Sequence, residues 1–348
     1  MKILHVVRNL DRYSGAAYQA LNLARHQAHA GLDVSILNVS DNPCPDNWQG
    51  NSIKIYDSKK NGSFFLLSKL LFAHDIVHFH GMFLREMIFA KMLGCRVLLK
   101  TTLLGEDDFD SLLLRPFGKL RLAIINWATD LNNALSTPIR KVNLKHLQSF
   151  KVMAVPNFVS ENPHVIGCVK ENIVVYVGAI LSRKKVLEAI ELFENNIQPS
   201  GYRMIVIGPC DIVEDKIDLE YVGRFKEKLA QNPSLIYLGK LEQEEVLYIL
   251  ARSKSLIFLS DKEGMPNVVL EALAANCFVI TSSISGVAID IYEHGIQGFN
   301  VDSGDTLDCK DMEESVAKEL PLKLAEEKFY FSRNIEIYEK IYKEMSIG

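Results

Sequence analysis

The feature that most constrains this chain is a repeated alternation in which short apolar, β-branched runs give way to a loop and then to helical spacing. KILHVV (2–7) leads into NLDRYSGAA and then AYQALNLARHQAHAG, whose pattern stops at Gly31 before the run DVSIL. That succession is a β-loop-α-β unit, the repeating piece of a doubly wound parallel sheet. The pattern continues through NSIKIY (51–56), the helical FFLLSKLLFA (64–73), DIVHFH (75–80) and RVLLK (96–100), and then through LRLAIINWATD, ALSTP and FKVMAVPNF. A second series opens at IVVYVG (173–178) and runs through YRMIVIGP, LIYLGKL, the helical EQEEVLYILARS, SLIFLS, CFVITSS and FNV. We therefore expect an α/β protein of two doubly wound domains, 1–163 and 164–330, joined near the polar stretch SENPHVIGCVKEN, with residues 331–348 as a closing helix.

A length of 348 residues suits two domains, and 48% hydrophobic with 24% charged residues excludes disordered and collagen-like chains. The six cysteines (44, 95, 168, 210, 277, 309) contain no C-x-x-C pair, which argues against a disulfide framework or zinc knuckle. They read as reduced thiols. A strand follows Met1-Lys2 directly and no apolar run approaches transmembrane length, so the expected location is cytoplasmic, including the inner face of the cell membrane. Charge is divided unevenly. Residues 1–165 hold 19 Lys+Arg against 13 Asp+Glu, whereas the remainder holds 20 against 30. The basic residues of RPFGKLR (Arg115, Lys119, Arg121) and Arg140, Lys141, Lys145 and Lys151 read either as solvated faces or as peripheral contact with an anionic membrane. Neither half has the basic stripe with interleaved aromatics that nucleic acid requires, so no nucleic-acid partner is expected.

Chemistry concentrates in LIFLSDKEGMPNVVLEALAAN (256–276). Gly264 frees the backbone, Pro266 suits a first helical turn and Asn267 is compatible with it, which predicts a helix beginning near residue 265. The unpaired N–H groups of such a start attract a phosphate. Glu263 precedes the helix and can accept hydrogen bonds from a ligand's hydroxyls, and Glu271 lies about one and a half turns further in. A helix cap with a solvated glutamate is the alternative reading of the same spacing. Arg183, Lys184 and Lys185 crowd another helix start, where cations oppose the helix dipole unless an anion is bound; a surface basic cluster is the alternative.

Other candidates lie in the first half. Gly15 sits after the first strand, as a ligand approach or a simple turn. His78 and His80 are two apart and share one strand face, either touching substrate or packed; with His74 they find no carboxylate at a zinc-like spacing, so no metal is expected. Asp107 and Asp108 either handle sugar hydroxyls or cap the next helix.

The second half, through VYVGAILSRKK, the Gly208-Pro209 pair, YLGKLEQEEVLYILARS, EGMPNVVLEALA with its E-x7-E spacing, and HGIQGFNV, resembles the retaining glycosyltransferases of the GT4 family (glycosyl transferases group 1). The tail FSRNIEIYEKIYKE is similar to that family's closing helix, and the first half matches more loosely through SGAA, DIVHFHG and VPNF. The resemblance implies a GT-B fold, two Rossmann-like domains facing a central cleft, with the last helix crossing back to the first domain. It implies donor binding by the second domain (Gly178, Arg183, Lys184, Glu263, Gly264, Met265, Pro266, Asn267 and Glu271, with Gly15 from the first) and acceptor binding by the first. Glu271 would hold the ribose, Glu263 would contact the sugar and Lys184 would neutralise the departing diphosphate, making Glu263 and Lys184 the catalytic pair. No metal or cofactor is implied beyond the nucleotide-diphosphate sugar itself. Domain closure would bring the acceptor hydroxyl to the anomeric carbon.

Three departures stand out: Gly178-Ala179 where many members have a Gly-Arg pair, Leu104 in Thr102-Leu103-Leu104-Gly105 where the family often has histidine, and Phe158 where VPNG has glycine. His80, Lys100 and Asp107 are the candidates to serve near the acceptor in place of the missing histidine. The expected activity is transfer of a sugar to a saccharide or lipid-diphosphate-linked saccharide in bacterial surface polysaccharide assembly (O-antigen, capsule or lipopolysaccharide). A nucleotide-sugar 2-epimerase and a non-catalytic binding subunit remain the alternatives.

Overall fold

A computed structural model of the chain describes residues 1–10, 15–40, 44, 53–58, 63–211 and 216–347. Residues 11–14 of the loop after the first strand, and 51–52 of NSIKIY, lie outside the described residues. The chain divides into two compact units, Met1–Phe158 with Phe331–Gly348, and Val159–Tyr330.

The first unit opens with β1 (Lys2–Val7), α1 (Gly15–His29), β2 (Asp33–Asn38), β3 (Lys54–Asp57), α2 (Ser63–Ala73) and β4 (Ile76–His80). It continues through α3 (Leu84–Met92), β5 (Arg96–Thr101), α4 (Phe109–Leu113), α5 (Gly118–Ala128), β6 (Leu131–Ala134), α6 (Thr137–Asn143) and β7 (Val152–Met153). The second unit begins with β8 (Glu171–Val177), α7 (Val186–Asn196), β9 (Arg203–Ile207), α8 (Lys216–Gln231), β10 (Leu235–Gly239), α9 (Gln243–Arg252) and β11 (Ser253–Phe258). It closes with α10 (Asn267–Ala274), β12 (Phe278–Thr281), α11 (Ala288–Ile291), β13 (Gly298–Asn300), α12 (Cys309–Ala317) and α13 (Leu320–Lys328); α14 (Phe331–Ile347) then belongs to the first unit.

Both sheets are parallel, in the orders β3-β2-β1-β4-β5-β6-β7 and β10-β9-β8-β11-β12-β13. Central strands such as IVHFH (β4) are buried along their whole length, as sheets covered on both faces require. α14 packs with α1 on the first sheet: Phe331, Tyr338, Ile341 and Tyr342 join Ile3, Val7, Ile76 and Leu98 in one core. Phe158, the departure from VPNG, fills that core, edge-on to Phe331 (5.7 Å) and Tyr338 (6.0 Å). The polar stretch read as a linker is packed on the second unit instead: Asn162 Nδ2 donates to Leu247 O (2.9 Å), and His164 Nε2 meets Glu244 at 2.7 Å.

The Gly208-Pro209 pair has a steric cause. Gly208 adopts φ +147°, and a Cβ there would lie 1.9 Å from the carbonyl oxygen of Gly178, the residue that follows β8. Only glycine lets the ends of β8 and β9 approach this closely. Gly178 N donates to Ile207 O (2.9 Å) and Ile180 N to Pro209 O (2.9 Å), stitching the two loops. Gly208→Ala is expected to cost about 1–3 kcal/mol of stability through forced backbone displacement, read as a lower urea midpoint.

Candidate functional site

In each sheet the chain winds outward on one side and then returns to start the other side beside its first strand: β4 beside β1, and β11 beside β8. At such a reversal the loops leaving the two central strands diverge, and the crevice between them, at the carboxyl ends, is where open parallel sheets bind ligands.

In the second unit those loops are residues 178–185 and 259–266. The first is held from below. Tyr176 Oη donates to Lys184 O (2.9 Å), and Ser182 N and Oγ both donate to Asp218 Oδ1 (2.9 Å each). Lys185 takes the left-handed conformation (φ 52°, ψ 42°), turning the chain into α7. Asp261 N donates to Arg183 O (3.1 Å), tying the second loop to the first. The result is a pair of cross-loop ion pairs, Lys184 Nζ with Glu263 Oε1, and Lys185 Nζ with Asp261 Oδ1 at 2.5 Å. Ser260 Oγ donates to the same Glu263 oxygen (3.1 Å), and Lys184 Nζ lies 5.6 Å from the centre of the Phe258 ring. The Asp261 carboxylate raises the Lys185 pKa above its ordinary value.

The conflict expected between three cations and a helix start is thus relieved. Arg183 and Lys184 sit on a separate short turn before α7, and Lys184 and Lys185 face carboxylates of the opposite loop. Arg183 is exposed on that turn.

α10 begins at Asn267 rather than near 265, because Pro266 keeps extended geometry (φ −71°, ψ 120°) in the cap position. No side chain caps the helix, Met265 is buried beneath the loop, and Gly264 stays partly open. Glu271 lies one helical turn in and accepts a hydrogen bond from Gln243 Nε2 (2.8 Å), at the start of α9. Burial pushes the Glu271 carboxyl up to about 7 against the partial relief of that bond. Glu263, Lys184, Gly178, Gly264 and Glu271 therefore all occupy the carboxyl-end side of one sheet.

The corresponding reversal in the first unit is lined differently. Gly15 does not stay in the loop: it opens α1. His5 of β1 is paired in register with His78 of β4, and His80 with Lys100 of β5, so four titratable side chains share one sheet face. Gln27 Nε2 donates to Tyr342 Oη (3.1 Å), which turns Gln27 Oε1 toward His5 Nε2 (2.8 Å) and makes that nitrogen the donor. His5 Nδ1 then accepts from His80 Nε2 (2.8 Å), which leaves His80 Nδ1, at the end of β4, in the acceptor form. Tyr342 Oη likewise donates to His78 Nδ1 (2.9 Å), and His78 Nε2 has no partner among the described residues.

Burial holds His5 down to about 4, and holds His78 and His80 well below the usual histidine value, so all three are neutral. Lys100, buried and donating to Asn157 Oδ1 (2.8 Å), is lowered to about 8 by the same desolvation. The three histidines bring ring nitrogens within 4.8 Å of one another. The His78 and His80 rings are stacked 4.2 Å apart with 23° between planes, so their in-plane lone pairs run side by side instead of converging on one ion. Hydrogen bonds from Gln27 and Tyr342 hold the His5 and His78 rings in this arrangement. His74, by contrast, turns away to Leu70 O (2.7 Å).

Asp107 and Asp108 hold their own loop. Asp107 accepts from Thr102 N (2.8 Å) and Leu103 N (2.6 Å), and Asp108 caps α4 through Ser111 N (2.9 Å). Burial raises the Asp107 pKa. Sequence reading did not single out Gln243, Asp261, Ser260, His5 or Gln27. A polar residue at a strand's carboxyl end was the available signal for Ser260 and Asp261; a polar side chain inside the buried run of β1 was the signal for His5.

Residues 162–326 match the family model described as Glycosyl transferases group 1, a span that lies within the second unit. The chain is similar to a capsular polysaccharide biosynthesis glycosyltransferase of Staphylococcus aureus, 31% identical over 132 residues that make up 37% of this chain and 32% of that one. It is also similar to the Campylobacter jejuni GalNAc-α-(1→4)-GalNAc-α-(1→3)-diNAcBac-PP-undecaprenol α-1,4-N-acetyl-D-galactosaminyltransferase, 29% identical over 163 residues, 46% of this chain and 40% of that one. The chain spans less than half the length of the curated relatives it matches. Among solved structures, an Anabaena protein in complex with UDP-glucose superposes with a TM-score of 0.74 at 13% identity, over 99% of this chain and 100% of that one. That likeness shows the fold, the two-sheet GT-B architecture.

Glu271 yields a pH prediction. A carboxyl whose native pKa, about 7, lies above its ordinary 4.5 binds more protons folded than unfolded, so it costs stability as pH rises through that interval. Glu271→Gln removes that cost: the variant is expected to exceed the parent by on the order of 2 kcal/mol at pH 8 and to lose the advantage by pH 4.5, in urea titrations at both pH values.

Proposed function

We propose that the protein is a retaining, metal-independent glycosyltransferase of the GT4 type. It takes a sugar from a nucleotide-diphosphate donor and places it on a saccharide or lipid-diphosphate-linked saccharide in bacterial surface polysaccharide assembly. The observation that carries this reading is the Lys184–Glu263 pair spanning the reversal point of the second sheet, where a cation and a hydroxyl acceptor stand side by side. A sugar diphosphate needs both. The ammonium meets the diphosphate, whose negative charge grows as the anomeric bond breaks, and the carboxylate accepts from the sugar hydroxyls. Glu271 sits further back, where a ribose would lie, and the uncapped start of α10 adds N–H groups toward the phosphates.

In the reaction, the acceptor oxygen bonds the anomeric carbon while the bond from that carbon to the diphosphate oxygen breaks. The acceptor's proton passes to the departing diphosphate, so no enzyme base is required. Lys184, with Arg183 exposed on the same turn, stabilises that leaving group in place of a divalent cation. On the first unit, His80 with its acceptor nitrogen at the end of β4, and Lys100 beside it, are the groups proposed to meet the acceptor. Asp107 is proposed to act through the loop it holds. Support for the substrate class comes from the named relatives, one acting in capsule synthesis and one on an undecaprenyl-diphosphate saccharide, and from the UDP-glucose complex of the Anabaena protein.

The test is turnover of a panel of nucleotide-diphosphate sugars in EDTA, with and without saccharide and undecaprenyl-diphosphate acceptors. Transfer with retained anomeric configuration, and a fall in kcat on the order of 100- to 1,000-fold for Lys184→Ala, are expected. Sugar released at equal rate without acceptor would mark an epimerase, and donor binding without any turnover would mark a binding subunit.

A further inference from the structure

α1 places an amide where packing alone calls for an aliphatic side chain. Its buried stripe runs through Ala20, Leu23 and Ala24 to Gln27, which is fully enclosed (0% exposed). His5, His78 and Tyr342, which surround that amide and one another, are just as deeply buried. Apolar side chains of similar volume would fill this space without any hydrogen bond to satisfy, whereas a buried polar network is stable only as far as its members are paired. Here the pairing is incomplete, since His78 Nε2 has no partner among the described residues. Polar groups retained in a core against this disadvantage mark a place where function sets the sequence.

The network opens outward at one member. Of the five side chains His5, His78, His80, Gln27 and Tyr342, solvent reaches only His80 (9% exposed), the last residue of β4. A neutral imidazole has one donor and one acceptor nitrogen, and the hydrogen bond made by one of them decides the state of the other. For His80 that decision is made two residues away. Gln27 Nε2 donates to Tyr342 Oη, so the amide oxygen faces His5 Nε2; His5 then donates from Nε2 and accepts at Nδ1, and His80 donates from Nε2. A flipped amide would reverse every bond in the series and put the proton on His80 Nδ1. Lys100, in register with His80 on β5, adds a positive charge that opposes protonation of the ring. Because the series ends at an amide, which takes up no proton, it orients His80 and does not draw a proton through it.

We propose that Gln27 and Tyr342 are positioning residues: through His5 they keep a lone pair on His80 Nδ1, and that lone pair selects an acceptor saccharide with a hydroxyl to donate to it. The saccharide comes from the transferase reading, on which this part of the inference rests. The hydroxyl that meets His80 is a neighbour of the reacting one, whose own proton leaves with the diphosphate. A site built to bond one hydroxyl rejects an analogue without it, because the nitrogen then loses its partner.

The experiment is proton–nitrogen correlation NMR of isotope-labelled histidine rings, with His80 assigned by the signals that His80→Asn removes. The parent is expected to show a neutral His80 protonated at Nε2 and not at Nδ1. Gln27→Met, which keeps the bulk and loses the amide, should give a mixture of the two tautomers. Tyr342→Phe should do the same, since it removes the hydroxyl that orients the amide. Gln27→Glu, whose carboxylate can only accept from His5, should restore the parent form. A proton on His80 Nδ1 in the parent overturns the proposal, as does a parent-like tautomer in both Gln27→Met and Tyr342→Phe. In turnover, Gln27→Met is expected to raise KM for the acceptor saccharide on the order of tenfold and to leave KM for the donor at the parent value, with Gln27→Glu close to the parent in both. An acceptor KM that stays constant while the tautomer changes also overturns the proposal. If the parent transfers sugar to no acceptor, the transferase reading is what fails, and the tautomer spectra still decide whether Gln27 and Tyr342 set the state of His80.

Discussion

The second unit depends on one contact across the point where its sheet reverses: the ion pair between Lys184, after β8, and Glu263, after β11. Strand order alone would let these two loops diverge, and their backbones are instead tied by Asp261 N to Arg183 O. With the loops joined, the side chains pair as a consequence. Both are half-buried, so the pair is worth more than a surface salt bridge, and each charge has a partner before any ligand arrives. In the proposed reaction, a cation held in this way stands oriented for the diphosphate, which is the preorganisation that transition-state stabilisation needs.

The first unit solves the equivalent position with neutral groups. Its central face carries His5, His78, His80 and Lys100 where other β-strands carry aliphatic residues, and α14 covers them with Tyr338 and Tyr342. Burying so many polar groups is tolerable because the amide of Gln27 and the hydroxyl of Tyr342 link them in a directed chain of hydrogen bonds. The chain fixes which nitrogen of His80 is the acceptor, so the orientation of a strand-end acceptor is set from α1 and α14.

The doubly wound fold was legible because the central strands are short buried runs and the longer helices carry a 3.6-residue pattern, both local signals. Glu263, Lys184 and Glu271 were legible as residues at strand ends and helix starts. Their partners were not: Gln243 lies 28 positions from Glu271, and Gln27 lies 22 from His5, so no local pattern announces either bond. The helix start slipped from 265 to 267 because Pro266 fits an extended cap as well as a first turn. The three cations after β8 looked unfavourable for the same reason, since the carboxylates that answer them come from a loop far along the chain.

The central claim, that the second unit holds a nucleoside diphosphate by side-chain charge, is tested most directly by calorimetric titration of UDP and UMP into the protein in EDTA. The account predicts binding of UDP without divalent cation, weaker binding of UMP, and a loss of at least about tenfold in UDP affinity for Lys184→Ala with UMP affinity nearly unchanged, since a hydrogen bond to a charged group contributes about 1.5–3 kcal/mol. Binding of a nucleoside diphosphate that requires magnesium, or that Lys184→Ala leaves intact, would contradict it.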